Sequence, residues 1–361
     1  MAAPFAGRLN SNEIFASIYN MIISQEVFAD NVKGTYSALV DKARVDGGLY
    51  GDTKLFYATD VLESVAWGQD ESGNTNAAGI QSEAMNLLQL HRPEDPKCQS
   101  LVIDKFRQIR LTVDNYLSKR AWSTESAFSS FNSVMLGWIR ETKRIYDSTL
   151  YNTYIGTTES EIGEQKMTIT PVSGQNDALT MAEALATLLV NLKDVSRDYN
   201  DYEFLRSYDE GDLVVVWNAK QYNTLKKIDM PVIFHTEGLL NEFDQEVLPA
   251  RYFGKVNAGE TAGNGSSVRS LIEQTIGSNH YFPGDLIKTG DTAPAGTSYT
   301  EDETIAFKVM HKRSVPYMSA FEVGTSFFNP RSLTETHYLT FGYNTLEYLK
   351  NYPMITARFS E

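Results

Sequence analysis

The sequence predicts an α+β fold, in which long helices and strand-rich segments occupy separate stretches of the chain. Apolar residues such as Trp138 and Ile145 recur at steps of three and four from Thr124 to Tyr154, as expected of one long helix. Strand-type alternation of apolar and polar residues returns between Thr304 and Phe359. The composition supports a folded chain with a sizeable core, since 42% of the 361 residues are hydrophobic and only 22% are charged.

The first predicted element is an amphipathic N-terminal arm that runs from Asn12 to Val45. Ile14, Ile18 and Met21 lie at helical spacing, and Ser11 is a candidate helix cap. One or two short helices are therefore expected in this arm.

A long two-stranded hairpin with an elaborated tip is predicted from Asp52 to Asn115. Its first strand, Thr53 to Ala66, is rich in β-branched and aromatic residues and follows a glycine-rich turn. Its second strand places Ile109, Leu111 and Val113 in alternation with polar residues. One face of the second strand is therefore expected to be apolar and the other polar.

Helices dominate the middle of the chain. The helix from Thr124 to Tyr154 would be about 45 Å long at about 1.5 Å per residue, which suits a structural spine, and Gly156 is expected to end it. A second helix is predicted from Asn176 to Val195, with leucines along one face. The apolar run Asp212–Asn218 predicts a buried strand that leads into a helix from Ala219 to Ile228.

A glycine-rich segment from Gly254 to Ser267 interrupts this pattern. Its small and polar residues offer no apolar anchor, so the sequence predicts a mobile surface loop. A second stretch punctuated by glycine and proline runs from Gly277 to Gly296.

Cysteine content, hydropathy and charge exclude several classes of protein. Cys98 is the only cysteine, so neither an internal disulfide nor a cysteine-rich zinc site can form. No run of about 20 apolar residues predicts a membrane span, and the N-terminus lacks the charge order of a secretory signal. Seventeen acidic and seven basic residues lie between Thr157 and Ala250. Because phosphate would repel this segment, sequence-specific DNA binding is not expected of it.

Familiar catalytic motifs are absent from the sequence. The five histidines are not spaced as metal ligands, and there is no phosphate-binding glycine loop or serine nucleophile turn. Carboxylates do cluster between Asp198 and Asp212 with Tyr199, Tyr202 and Tyr208. A glycosidase or a calcium site could use such a cluster, but a solvated turn explains it more simply, since the spacing of a calcium loop is missing. No catalytic, cofactor or metal site is predicted.

The order of these elements resembles the major capsid protein of tailed bacteriophages, the Hong Kong phage capsid fold. The opening Gly51-Asp52-Thr53 resembles the start of that family's extended loop, and Thr124–Tyr154 is similar to its spine helix. The segment Leu213–Ile228 looks like the family's central strand and helix in the axial domain. Strand pairs at Ile305–Met318 and Ser319–Phe328 resemble the peripheral domain. A small podovirus-like phage is the expected source.

This resemblance implies a division of the chain and a set of residues that contact neighbouring subunits. The implied parts are an N-terminal arm (1–46), an extended β-hairpin loop (47–115), a peripheral domain with the spine helix (116–170 and 301–361) and an axial domain (171–300). The implied contact residues are Ile14, Ile18 and Met21 in the arm, Tyr50, Leu55, Phe56, Tyr57 and Ile109 in the extended loop, and Gly259, Gly263 and Gly265 in a loop near the capsomer axis.

The resemblance also implies function and partners. The chain would assemble with itself, as hexamers and pentamers, into an icosahedral shell around double-stranded DNA that it contacts only non-specifically. A portal is implied, and a separate scaffolding protein is expected because only the arm offers helical material before the hairpin. No enzyme activity, cofactor or membrane partner is implied. Two alternatives stay open at this point: a carbohydrate-active hydrolase that uses the acidic tyrosine cluster, and another virion component such as a tail or decoration protein.

Overall fold

The computed structural model describes residues 38–47, 52–62, 92–114, 125–160, 162–172, 177–226, 244–258 and 297–360. These residues form helices α1 (Ala38–Lys42), α2 (Glu125–Thr157), α3 (Asp177–Lys193) and α4 (Ala219–Lys226). The strands are β1 (Arg44–Asp46), β2 (Thr53–Ala58), β3 (Lys97–Asp114), β4 (Lys166–Ile169), β5 (Leu213–Asn218), β6 (Asp244–Leu248), β7 (Gly254–Ala258), β8 (Thr297–Glu301), β9 (Ile305–His311), β10 (Tyr317–Asn329), β11 (Thr334–Asn344) and β12 (Met354–Phe359).

The first sheet, which we call sheet one, has the strand order β1-β10-β11-β3-β2. The strands β10 and β11 form an antiparallel hairpin. The long strand β3 changes partner along its length: Lys97–Val102 pairs with β2, whereas Ile103–Asp114 pairs with β11. The far end of sheet one is thus a three-stranded ribbon, which we call the tip (residues 107–114 and 322–341).

The second sheet, sheet two, has the order β4-β12-β9-β5-β6. Its strand β5 is buried along its whole length because helices cover both faces. Val214 and Val216 face the core that contains α2, while Leu213, Val215 and Trp217 face the core that contains α3. The pairing of β5 is parallel to β6 and antiparallel to β9.

The second half of α2 lies in the core between the two sheets. Tyr146, Leu150 and Tyr154 of α2 share a buried cluster with Tyr317 and Phe341 of sheet one. Because both sheets contact this half of the helix, residues 146–156 are buried on every side. The helix is therefore a central support of the subunit.

Gly156 lies inside the last turn of α2, against the short turn Ala250–Tyr252. A Cβ atom at Gly156 would lie 1.9 Å from the carbonyl oxygen of Tyr252, so no other residue fits there without displacing backbone. The prediction that Gly156 ends the helix is wrong, since α2 continues to Thr157. The glycine permits close packing between the helix and the turn.

The structure confirms both predicted helices and the buried strand with its capped helix. Asn218 caps α4, because its side-chain oxygen accepts a hydrogen bond from the Lys220 amide at 3.1 Å. The predicted apolar stripe of α2 is wrong at Trp138, which is exposed, whereas its neighbour Ile139 is buried. At Trp138 the helix lies outside the space between the two sheets, so only the narrow face of α2 that includes Ile139 is covered.

Three predicted boundaries are corrected. Val45 lies in strand β1, paired in parallel with β10, rather than in a helix of the arm. The strand predicted to reach Ala66 ends at Ala58, because the residues that follow contact another loop. The predicted mobile loop begins with a strand, Gly254–Ala258, paired with β8. The remainder of that loop, most of the arm, and the hairpin's distal residues 63–91 lie outside the described residues.

Sheet two also joins segments that the predicted domain boundaries separate. Strands β9 and β12 fall in the predicted peripheral range, yet β9 pairs with β5 of the predicted axial range. The predicted boundary near residue 301 therefore does not coincide with a boundary between the two sheets. Sequence proximity of β9 to β10 suggested one domain, but hydrogen bonding places them in different sheets.

Candidate functional site

Exposed apolar side chains lie on both faces of sheet one. Leu55 and Tyr57 of β2 project from one face, and the Tyr57 residue is 65% exposed. The pairing of β2 with β3 places the exposed Val102 on the same face. A register shift at Tyr343 and Asn344 reverses the faces along β3, so the exposed Phe106, Val323 and Phe327 lie on the opposite face, away from α2. Exposed apolar area of this extent is typical of a protein interaction surface. We call these six residues the outer stripe.

The residues after β2 are held to a loop beside sheet two by one carboxylate. The carboxylate of Asp60 accepts hydrogen bonds from the Leu205 amide at 2.9 Å and from the Arg197 guanidinium. The Arg206 guanidinium donates to the carbonyl oxygen of Thr59 at 2.6 Å. The hydrogen bond from Arg197 lowers the pKa of Asp60 to about 2. We call these contacts the loop clamp. They hold Thr59 and Asp60 in place, shortly before residues 63–91, which lie outside the described residues.

Replacement of Asp60 by asparagine is expected to loosen the loop clamp. The amide of Leu205 should then exchange its hydrogen faster, because its acceptor loses charge and the Arg197 partner. Hydrogen exchange with mass spectrometry measures this protection. The wild-type protection is present above pH 3.8 and is lost only as the pH falls through about 2, since the folded pKa lies below the ordinary value. Asp198→Asn is the matched control, an exposed carboxylate in the same loop, and equal exchange in both variants would contradict the clamp.

A buried charged cluster connects the end of the arm, α2 and the base of the tip. The carboxylate of Asp147 accepts hydrogen bonds from Lys143 at 2.9 Å and from the Tyr317 hydroxyl at 2.8 Å. The Arg44 guanidinium of β1 lies 3.7 Å from the same carboxylate, and Lys143 also contacts Glu322 at 2.7 Å. Burial, together with the Asp147 charge, raises the pKa of Tyr317 well above its ordinary value, so the phenol remains a donor. The cluster fixes the base of the tip to α2.

A second buried charge closes the C-terminal end of α2. The ammonium group of Lys308, on β9, donates to the carbonyl oxygens of Ile155, Gly156 and Thr158 at 2.9, 3.1 and 2.8 Å. Helix C-termini leave carbonyl groups without partners inside the helix and carry a partial negative charge, which a cation stabilises. Burial lowers the pKa of Lys308 to about 7, opposed by the charge of Asp302. Lys308 therefore connects sheet two directly to α2.

The predicted acidic tyrosine cluster, Asp198–Asp212, has a structural role. Asp201 accepts hydrogen bonds from the Gln165 side chain at 2.9 Å and from the Tyr348 hydroxyl. Tyr208 is buried, and burial raises its pKa above the ordinary value. These contacts join the loop to the C-terminal segment rather than presenting paired carboxylates to a substrate.

The structure describes four of the predicted contact residues. Leu55 and Tyr57 are exposed on the outer stripe, whereas Phe56 and Ile109 are partly buried against this subunit's own core. Their contacts with neighbouring subunits stay predictions. The other predicted contact residues lie outside the described residues: Ile14, Ile18, Met21, Tyr50, Gly259, Gly263 and Gly265.

Sequence reasoning missed the loop clamp and the Lys308 cap. A lysine within the otherwise apolar strand Ile305–His311 is a signal that could have indicated a buried cation. Asp60, Arg197 and Arg206 carry no comparable signal, because their contacts join distant parts of the chain. Among the described residues, no group of three or more metal-binding side chains is close enough to hold an ion. None of the helices described is long and apolar enough to cross a membrane.

Solved structures with the same fold come from phage particles. One chain in the structure described as head fiber and inner core protein gp22 of native bacteriophage P68 is 13% identical with a TM-score of 0.63, covering 88% of this chain and 83% of that chain. A chain in the capsid structure of Staphylococcus phage Andhra is 10% identical with a TM-score of 0.61, covering 93% and 87%. The mixed α+β fold is therefore that of phage capsid proteins.

The family of the chain is shown by its sequence. The family model of the Phi29-like phage major capsid protein matches residues 8–355, so the chain belongs to that family. It is a structural major capsid protein, not an enzyme, and it assembles into the capsid shell of the virion. The predicted capsid function and location are thereby confirmed, and the hydrolase alternative is not favoured. A comparison with curated protein sequences found no significant match.

Proposed function

We propose that this major capsid protein has the Hong Kong phage subdomain organisation and forms hexamers and pentamers around double-stranded DNA. The observation that carries the proposal is the outer stripe, a set of apolar side chains that the described part of the subunit leaves exposed. Burial of each such side chain gives roughly 1.5–3 kcal/mol, and a closed shell repeats each contact many times. An extended loop and an arm that cross neighbouring subunits would cover this surface.

The two sheets support a revised division of the chain. Sheet one and α2 would form the peripheral domain, with β2 and the first part of β3 as the base of the extended loop. Sheet two, α3 and α4 would form the axial domain, which then includes Ile305–His311 and Met354–Phe359. The hairpin of β7 and β8 leads to residues 259–296, so it would direct the predicted glycine-rich loop towards the capsomer axis.

The proposed partners follow from shell assembly. A separate scaffolding protein would set the shell size, and a portal would occupy one vertex. The packaged DNA would be contacted only non-specifically, since the net charge of −14 repels phosphate overall.

The double variant Leu55→Asp with Tyr57→Asp is expected to reduce the yield of closed shells at least about tenfold. Desolvating two carboxylates at each repeated contact costs several kcal/mol, while both side chains point to solvent in the isolated subunit. Gradient sedimentation measures the shell yield, and circular dichroism checks that the subunit is folded. Val190→Asp is the control, because Val190 is equally exposed but lies on α3, away from the outer stripe. Normal shell yield from the double variant would contradict the proposed interface.

A further inference from the structure

We propose that the edge of β10 in the tip, residues 322–329, pairs antiparallel with the same edge of a second copy across a two-fold axis. The inference rests on the proposed function, because it names one contact by which copies in the shell would meet. We call residues 322–329 the tip edge.

The tip edge is an open strand edge in the described structure. Strand β1 covers β10 only at Tyr317–Ser319, and the pairing with β11 uses the opposite side of β10. No other strand in the described ranges lies beside residues 322–329, and every one of these residues is exposed. Residues 323–329 contain no charge and no proline. Unpaired edges of this kind recruit another strand, and natural proteins guard them with charges or proline unless a partner covers them.

The side chains of the tip edge fit a second copy of the same edge. In an antiparallel pairing centred on Ser326, Phe328 of each copy lies opposite Gly324 of the other. Gly324 has open space around it, since a Cβ atom there would meet nothing within 4 Å, and Phe328 is 47% exposed. An aromatic ring opposite a glycine is a favourable cross-strand pair. In the same register Phe327 lies opposite Thr325 on the face of sheet one that carries Phe106 and Val323.

Charges at the two ends of the tip edge are also complementary in this register. Glu322 lies opposite Pro330 of the second copy, which puts the acidic residue of one copy near the end of the strand where the other copy carries Arg331. The Glu322 carboxylate is half exposed beside its own Lys143. Symmetry repeats this arrangement at the other end, as expected of an isologous contact. Between these ends the paired strands carry no charge, so no like charges oppose each other.

A cysteine at the centre of the pairing tests the proposal. The variant Ser326→Cys is made in a Cys98→Ser background, because the exposed Cys98 could otherwise form disulfides. Cross-strand partners in antiparallel sheets have Cα atoms about 4.5–5.5 Å apart, within disulfide range. Purified shells are oxidised mildly and examined on a non-reducing gel. We expect a disulfide-linked dimer as the major species, and we expect no dimer from the control Thr336→Cys, which lies in the tip on the neighbouring strand β11.

The outcomes separate the pairing from the proposed function. Closed shells of the Ser326→Cys variant that lack the disulfide-linked dimer would overturn the pairing but would leave the proposed function standing. Pairing of the tip edge with a different strand, such as one from the arm, would give this result. Equal dimer from Thr336→Cys would also overturn it. The dimer in solution with no shells would support the pairing and contradict the proposed function.

Discussion

Replacing Lys308 with methionine is expected to lower the free energy of unfolding by about 1–3 kcal/mol, the range for leaving a buried hydrogen-bond acceptor without its donor. The methionine side chain fills similar volume but donates no hydrogen bond, so three carbonyl oxygens at the end of α2 lose this donor. The C-terminal end of α2 would then lose the polar contacts that Lys308 makes to it from sheet two. Thermal and denaturant unfolding of the purified protein measure the loss.

The stability difference between the wild type and Lys308→Met should increase with pH. Burial lowers the pKa of Lys308 from 10.5 to about 7, so the unfolded chain binds more protons than the native protein between these values. The stability of the wild type, relative to Lys308→Met, is therefore expected to rise as the pH increases from about 7 to 10.5. Lys220→Met is the control, because Lys220 lies in an exposed ion pair with Glu303 and its loss should cost at most about 1 kcal/mol. Equal losses in the two variants would refute the capping role.

Gly156→Ala is expected to destabilise the protein by about 3 kcal/mol or more, the upper end of the range for overpacking. The added methyl group would lie 1.9 Å from the Tyr252 carbonyl oxygen and 2.6 Å from its carbon, so backbone must move. That movement would also shift the Gly156 carbonyl away from Lys308. Soluble yield and the unfolding midpoint both report the effect.

The same helix supplies a matched control for Gly156→Ala. Gly137 lies in α2 with nothing within 4 Å of the position of a Cβ atom. Gly137→Ala should therefore stabilise the helix by about 0.5–1 kcal/mol, since alanine loses less backbone entropy than glycine. Opposite signs for one substitution at two positions of one helix would establish that packing against Tyr252 decides the effect. A stable Gly156→Ala variant would show that the turn can move.

Local patterns predicted much of the fold, because the determinants of helices and buried strands lie close together in sequence. The periodicity of α2 and the apolar run of β5 were sufficient for both elements. Strand pairing was predicted less well: β3 has the expected alternation, but its second half pairs with β11 from the other end of the chain. Hydropathy cannot indicate which distant strand supplies the hydrogen bonds.

The proposed contact surface was predicted in part. Leu55 and Tyr57 could be named because the family resemblance placed them in the extended loop, and the structure shows that both are exposed. Their neighbours Phe56 and Ile109 are similar in composition but face the subunit's own core. The Asp60 clamp and the Lys308 cap depend on contacts across more than a hundred residues, which no local pattern records.

Sedimentation of the expressed protein, alone and with the product of the upstream neighbouring gene, tests the shell-forming role most directly. Negative-stain microscopy of the fastest fraction would follow. We predict closed shells or capsomer rings, with shells of uniform normal size only when the proposed scaffolding protein is present. Normal-size shells from the protein alone would contradict the need for a scaffold. A stable, dispersed monomer under both conditions would contradict the assembly account itself.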